Sequence, residues 1–159
     1  MQQELVQLGN GAHALAIQIL GNRDDAADAV HDAFETALAK PDSYDRARGP
    51  LKPWFLRVVR NRCIDLLRRR RPSGVDVDLL TDPGATPEES LVASELDRQL
   101  QRALGRLNPD QRQILVLRDY LDLRYAEIAV VLDIAPGTVM SRLHRARLAL
   151  KGQLEAEHE

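Results

Sequence analysis

The sequence predicts an all-α protein: two small helical domains joined by an acidic flexible linker, the second ending in a helix-turn-helix. Three observations lead there. Ala, Leu and Arg abound while aromatic residues make up only 4% of the chain, a balance that favours helix over sheet. Apolar residues recur at helical spacing, and no alternating run of strand length competes with them. Prolines at 41, 50, 53, 72, 83, 87, 109 and 136 divide the chain into long proline-free windows. With 44% hydrophobic residues the chain is too apolar for a wholly disordered one, and 159 residues suffice for one ordinary domain or two small ones. The single cysteine, Cys63, excludes an intrachain disulfide and a Cys-rich zinc site. No apolar run approaches the roughly 18 residues of a membrane span, so no membrane insertion is expected. The start, Met1-Gln2-Gln3-Glu4, is not a basic segment followed by an apolar one, so no secretion signal is expected and the location expected is the cytoplasm.

The elements follow in order. Ala26, Ala29, Val30, Ala33, Phe34, Ala37 and Leu38 form one helical stripe, and Asp24 and Asp25 suit the positive end of that helix. The segment from Lys40 to Pro53, with three prolines and Gly49, reads as a loop. A second long helix is expected from about Trp54 to Arg70, with the stripe Phe55, Val58, Val59, Ile64 and Leu67. These elements make up a first domain, 1–71. Residues 72–91 are rich in Pro, Gly, Ser, Thr, Asp and Glu without a helical period and read as the linker. Helix resumes from about Glu88 and carries Leu91, Leu96, Leu100, Leu104 and Leu107 into the second domain, 92–159. Asn108-Pro109 ends it and starts another, Asn108 as N-cap and Pro109 at the first helical position. Ile114, Leu115, Leu117 and Leu121 form the apolar side of that helix.

Charge is sorted along the chain. Seven arginines against the single acid Asp65 lie between Arg57 and Arg71; seven acids and no Lys or Arg lie between Pro72 and Asp97; four cations and no acid lie between Met140 and Lys151. Such sorting suits a polyanion-binding protein with an acidic connector, and equally a set of solvated Arg-rich helix faces.

Residues 124–150 carry the most information. They read as a short helix, a tight turn near Asp133 to Gly137, and a second helix, with Thr138 as its N-cap. Ala129 is small enough for a close helix crossing, and Ile128, Leu132 and Ile134 supply a shared core. Val139, Leu143, Ala146 and Leu150 fall on one side of the second helix at 100° per residue. Met140, Ser141, His144 and Arg145 then face outward, flanked by Arg142 and Arg147. An apolar back and a polar, cationic front are what a recognition helix in the major groove requires. Arg can read guanine through two hydrogen bonds, and Ser can bond bases or phosphate.

At these residues the sequence resembles a known family. Ala126-Glu127-Ile128-Ala129, Pro136-Gly137-Thr138-Val139 and Ser141-Arg142-Leu143-His144-Arg145-Ala146-Arg147 resemble region four of bacterial RNA polymerase sigma factors, most closely the extracytoplasmic-function (ECF) group. Leu20-Gly21-Asn22-Arg23-Asp24-Asp25-Ala26, with Asp28, Asp32, Ala33 and Phe34, resembles region two. Trp54-Phe55-Leu56-Arg57, Arg60-Asn61, Asp65 and Arg68 to Arg71 continue it. The resemblance spans about residues 5–70 and 92–152.

The resemblance implies a non-enzymatic specificity subunit that binds core RNA polymerase, recognises minus-ten and minus-thirty-five promoter elements and helps to melt the DNA. It needs no cofactor, metal or small-molecule substrate. Asp25, Asp28, Asp32 and Glu35 would dock on the clamp coiled coil of the polymerase, or else form a solvated face. Tyr44 to Gly49, including Arg48, would shape a pocket for a minus-ten base. Asn61 would read that base with its amide, or be a surface amide. Trp54 would pack, or pack and also wedge at the duplex fork. Arg57, Arg60, Arg62 and Arg68 to Arg71 would hold phosphates. Thr138, Met140, Ser141, Arg142, His144, Arg145 and Arg147 would read the minus-thirty-five element. Leu115, Leu117 and Tyr120 would partly face the polymerase flap. The acidic linker would thread the polymerase interior or act as a spacer, and an anti-sigma protein is a further partner that the family implies.

The sequence departs from the family pattern in four places. The segment before the first stripe is short, Met140 stands where a cation is common, Asp133 occupies the usual turn glycine, and His31 replaces a frequent Gln. Two rivals compete. A helix-turn-helix regulator acting without core polymerase explains residues 124–150 but neither the Trp54-to-Arg71 helix nor the acidic helix before it. An enzyme such as a recombinase lacks its constellation: Ser43, Ser73, Ser90 and Ser94 have no nearby His partner, and His13, His31, His144 and His158 show no metal spacing.

Overall fold

The computed structural model describes residues 2–70 and 95–157, and every regular element in them is helical, as expected. The elements are α1 (Gln2–Gln7), α2 (Gly9–Leu20), α3 (Arg23–Ala39), α4 (Leu51–Arg70), α5 (Glu95–Gly105), α6 (Pro109–Leu115), α7 (Tyr125–Leu132) and α8 (Pro136–Glu157). Short 3-10 turns at Pro41–Ser43 and Arg46–Arg48 break the loop before α4. The linker at 72–91, and the part of the expected helix between Glu88 and Ser94, lie outside the described residues.

Two helices precede the first predicted one. Ala12, Leu15, Ala16 and Ile19 of α2 are buried at i, i+3, i+4 and i+7. Gly21, at φ 71°, ends α2 in the left-handed conformation and donates its N–H to the Ile17 carbonyl at 2.8 Å. Asn22 follows in extended geometry, and its Oδ1 accepts the N–H groups of Asp24 and Asp25 at 2.8 and 3.1 Å, capping α3. The predicted stripe of α3 is buried at Ala26, Ala29, Val30, Ala33 and Ala37, Phe34 is half-buried, and Leu38 turns outward at 46% exposure.

Helix α4 begins at Leu51, three residues before the predicted start. Pro53 is no obstacle there, because an amide in the first turn has no intrahelical acceptor to lose. Its buried face is Leu51, Phe55, Leu56, Val59 and Cys63, rotated from the predicted stripe so that Ile64 is only half-buried. The Phe34 and Phe55 rings meet at 4.9 Å between centroids.

The second half starts its helices as the sequence implies. Asn108 and Gln111 form a reciprocal cap, with Oδ1 of Asn108 accepting the Gln111 N–H at 2.9 Å and Pro109 in the first turn. Helix α6 widens into a π-helical turn at Val116–Tyr120. Glu127 accepts the Arg124 N–H at 2.9 Å to start α7. Asp133 ends α7 at φ 57°, ψ 50°, supplying the left-handed residue where glycine is usual. The core does not stop between the halves. One contiguous buried cluster contains Phe55 and Val59 of α4 together with Leu117, Ile128 and Leu143, with α7 lying on α4 and α6 on α2. At Gly11 a Cβ would stand 3.0 Å from a Leu121 methyl, so α2 and the end of the π turn approach closely.

Candidate nucleic-acid interface

Helix α8 divides as predicted. Val139, Leu143 and Ala146 are buried against α7, and Leu150 is half-buried. Met140, Ser141, Arg142, His144 and Arg145 are exposed in one row. The Ser141 hydroxyl donates to the Thr138 carbonyl at 3.1 Å and Arg145 Nε to the Ser141 carbonyl at 3.4 Å, so both groups rest on their own helix and stay open to solvent. Arg147 is different: it is paired with Asp119 in the π turn, Nε to Oδ2 at 3.2 Å. The expected N-cap role of Thr138 is corrected. The helix begins two residues earlier, because Pro136 carries the φ a first helical residue needs, and the Thr138 amide already bonds the Ala135 carbonyl at 2.9 Å.

A second surface lies around the loop before α4 and the exposed side of that helix. The Tyr44 and Trp54 rings stack at 5.1 Å, tilted by 40°, and both are half-buried. The Tyr44 hydroxyl donates to the Gly49 carbonyl at 2.9 Å, tying the loop end to the aromatic pair. Gly49 stands at φ 141°, outside the usual range of a residue with a Cβ. Arg48 lies in the turn just before it. Asn61 is exposed on α4 one turn beyond Arg57, and Arg68 and Arg69 are exposed at the helix end.

The arginines of α4 are not equally available. Arg62 Nε and one terminal nitrogen donate to Asp32 Oδ2 at 3.1 and 3.0 Å, and Arg62 also meets Asp65 at 3.4 Å. Arg70 pairs with Asp25 at 2.7 Å, and Arg69 lies 3.7 Å from Asp65. Arg60 Nε donates to the Gln113 amide oxygen at 2.7 Å, and Arg57 stands 3.6 Å from Asp133. Arg71 lies outside the described residues. The acidic face of α3 is correspondingly partnered. Asp25 and Asp32 face α4 arginines, Glu35 meets His31 at 2.9 Å, and Asp28 is exposed.

The flap-facing reading of Leu115 and Leu117 is corrected as well. At 4% and 0% exposure they belong to the core, because α6 is covered by α2 and α8; Tyr120, 69% exposed, is presented to solvent. Three contacting residues escaped the sequence argument. Lys52 donates to the Leu121 carbonyl at 3.0 Å, Gln113 is buried at the junction, and Arg112 is buried with its guanidinium on the carbonyls of Leu107 and Gln18. Burial pushes the Arg112 and Arg60 pKa values down. Burial likewise pushes the Cys63 thiol up to about 12, so it is an unreactive core group. Among the described residues no group of three or more His, Cys, Asp or Glu side chains is placed to hold a metal ion.

Comparison with known proteins decides among the readings. Residues 5–72 match the family Sigma-70 region 2, and residues 97–150 match Sigma-70, region 4. The ECF RNA polymerase sigma factor SigW of Bacillus subtilis is 32% identical over 89% of this chain and 82% of its own length. The chain belongs to the ECF sigma factors. The corresponding SigE of Mycolicibacterium smegmatis is 34% identical, over 98% of this chain and 62% of its own length. Among solved structures, the sigma factor RpoE of Bartonella quintana, in complex with the anti-sigma factor NepR, superposes with a TM-score of 0.80 at 29% identity, covering 96% of this chain and 95% of that one. CnrH, in complex with the cytosolic domain of CnrY, has a TM-score of 0.69 at 25% identity, covering 97% and 86%. The region 2 match over the first half is what a lone helix-turn-helix regulator would lack. As a sigma factor the chain binds core RNA polymerase, recognises promoter DNA through minus-ten and minus-thirty-five elements and promotes melting for transcription initiation. No described helix of this sigma factor is long and apolar enough to cross a membrane.

Proposed function

We propose that this sigma factor divides promoter work among three surfaces. The front of α8, with Thr138, Met140, Ser141, Arg142, His144, Arg145 and Arg147, reads the upstream element in the major groove. The α4 surface, with Tyr44, Arg48, Trp54, Arg57, Arg60, Asn61, Arg68 and Arg69, takes the minus-ten strand. Asn61 bonds the edge of an extruded base, and the arginines hold phosphates. Unstacking a base costs a few kcal/mol, and the cationic contacts offset that cost. Asp25, Asp28, Asp32 and Glu35 on α3 meet the clamp of the polymerase, where charge complementarity favours encounter and register. Residues 72–91 run between the two domains through channels built for nucleic acid. An anti-sigma protein of the kind bound by RpoE and CnrH holds the chain inactive. The chain itself performs no chemistry and works in the cytoplasm.

The exposed cationic row of α8 over a fully buried apolar back carries this reading. Its test is transcription in vitro with purified core polymerase and a promoter library. The expected outcome is initiation at a defined set of sites only when the chain is added, with specific duplex binding weak until polymerase is present. Tight, specific duplex binding by the chain alone, without any initiation, would return it to the regulator class.

A further inference from the structure

The junction between the two halves is built from cations that meet few carboxylates. Lys52 on α4 donates to a backbone carbonyl, that of Leu121, at 3.0 Å. Arg60 on α4 donates to a neutral amide, Gln113 of α6, at 2.7 Å. Arg112, 2% exposed, rests on the Leu107 and Gln18 carbonyls, and its second terminal nitrogen has no hydrogen-bond partner. Around Arg60 the like charge of Arg142 from α8 opposes the carboxylates of Asp110 and Asp133. The one ion pair across the junction, Arg57 with Asp133 at 3.6 Å, is exposed on the Asp133 side. Asp133 holds a left-handed turn position, at φ 57°, and that turn carries its carboxylate to α4. A phosphate would bind any of these cations more strongly than an amide or carbonyl does, because charge-assisted bonds between two ions are the strong ones.

We infer that Arg60–Gln113, Arg57–Asp133 and Lys52–Leu121 form a latch that closes region 4 over the basic side of α4 and withholds Arg57 and Arg60, and that a single-stranded DNA backbone opens it by competing for those cations. This rests on the proposed role of Arg57 and Arg60 in strand binding. Apparent affinity for the strand is then the intrinsic affinity reduced by the fraction of chain that is open. Changes at Gln113 or Asp133, neither of which touches the strand in the proposed site, should therefore alter strand affinity through the open fraction.

The experiment uses the full chain with donor and acceptor dyes at Gln7→Cys and Lys151→Cys, both exposed positions on α1 and α8; the buried Cys63 stays unlabelled. Energy transfer reports closure, and a single-stranded oligothymidine is the probe. Adding it should lower transfer. Gln113→Leu removes the acceptor of Arg60 and should shift the closed-to-open ratio toward open by about tenfold, with strand affinity rising several-fold. Gln113→Glu supplies a carboxylate and should do the reverse. Asp133→Asn keeps a residue tolerant of the left-handed turn but removes the charge, and should open the chain by about two- to threefold. Gly11→Leu, which drives a side chain into Leu121, opens the junction independently should Gln113→Leu fail to fold. Unchanged transfer in Gln113→Glu, Asp133→Asn and Gly11→Leu would overturn the latch. Transfer that moves while strand affinity stays fixed would leave the closure standing and overturn the assignment of Arg57 and Arg60 to DNA.

Discussion

Helices α4 and α8 are the two long cationic helices of the molecule, and they differ in what their arginines touch. On α8, Arg142 and Arg145 stand exposed with only their own helix nearby, and Arg147 alone is paired, with Asp119. On α4, Arg62 and Arg70 are held by Asp32 and Asp25 of α3, and Arg57 and Arg60 by residues of the second half. The difference follows from position. Helix α8 lies at the edge of the bundle and buries one side, whereas α4 is flanked by α3 on one side and by α7 on another. Arginine density along a chain therefore does not measure cation availability.

The comparison can be broken at the core first. Phe55→Ala on α4 should cost about 3–5 kcal/mol and Leu143→Ala on α8 about 2–5 kcal/mol. Because both side chains belong to one contiguous cluster, each should lower the same single transition in thermal unfolding. Two transitions, each moved only by its own substitution, would mean that the halves melt separately.

Next comes reading by α8. Arg145→Ala should cost about 1–3 kcal/mol at promoter upstream elements, measured by holoenzyme binding to a sequence library, and should relax one position there. An equal loss on every sequence would make Arg145 a phosphate contact. On α4, Asn61→Ala should change minus-ten preference in the same assay and leave core polymerase binding intact; unchanged preference would remove Asn61 from the site.

Smaller effects test the held arginines. Arg62→Ala should cost about 1 kcal/mol of stability in denaturant unfolding, since its two carboxylate partners are half-exposed, with strand affinity nearly unchanged. Arg68→Ala should do the opposite, sparing stability and weakening strand binding uniformly across sequences. A loss of strand affinity in Arg62→Ala as large as in Arg68→Ala would erase the distinction between held and free cations. Finally, the Cys63 thiol, raised to about 12 by burial, should resist alkylation at neutral pH until the chain unfolds. Its folded pKa lies above the unfolded one. Its contribution to stability is therefore full below the ordinary thiol range near 9 and is lost as pH rises through that range toward 12. Rapid labelling of the native chain would mean that α4 does not bury the residue.

Much of the site was legible because it depends on local chemistry. The front and back of α8, the caps at Asn108 and before Asp24, and the acidic face of α3 all follow from spacing within one helix. The start of α8 was misplaced because a good N-cap residue, Thr138, lies two positions after a proline that begins the helix better. The stripe of α4 was rotated because Cys63, a small hydrophobe, was not counted as apolar while Ile64 was. Leu115 and Leu117 carried no local sign of which neighbour would cover them. Nothing marked Gln113 as the partner of an arginine 53 residues away.

The sequence by itself determined the helices, the turn between α7 and α8, the cationic front of α8 and the family that these features match. Those properties rest on backbone geometry and on side chains within a turn or two, which periodicity records directly. The tertiary structure alone decided which cations are occupied and which stand open. An ion pair depends on two elements meeting, and the meeting of α4 with α3 and α7 is set by packing over the whole core.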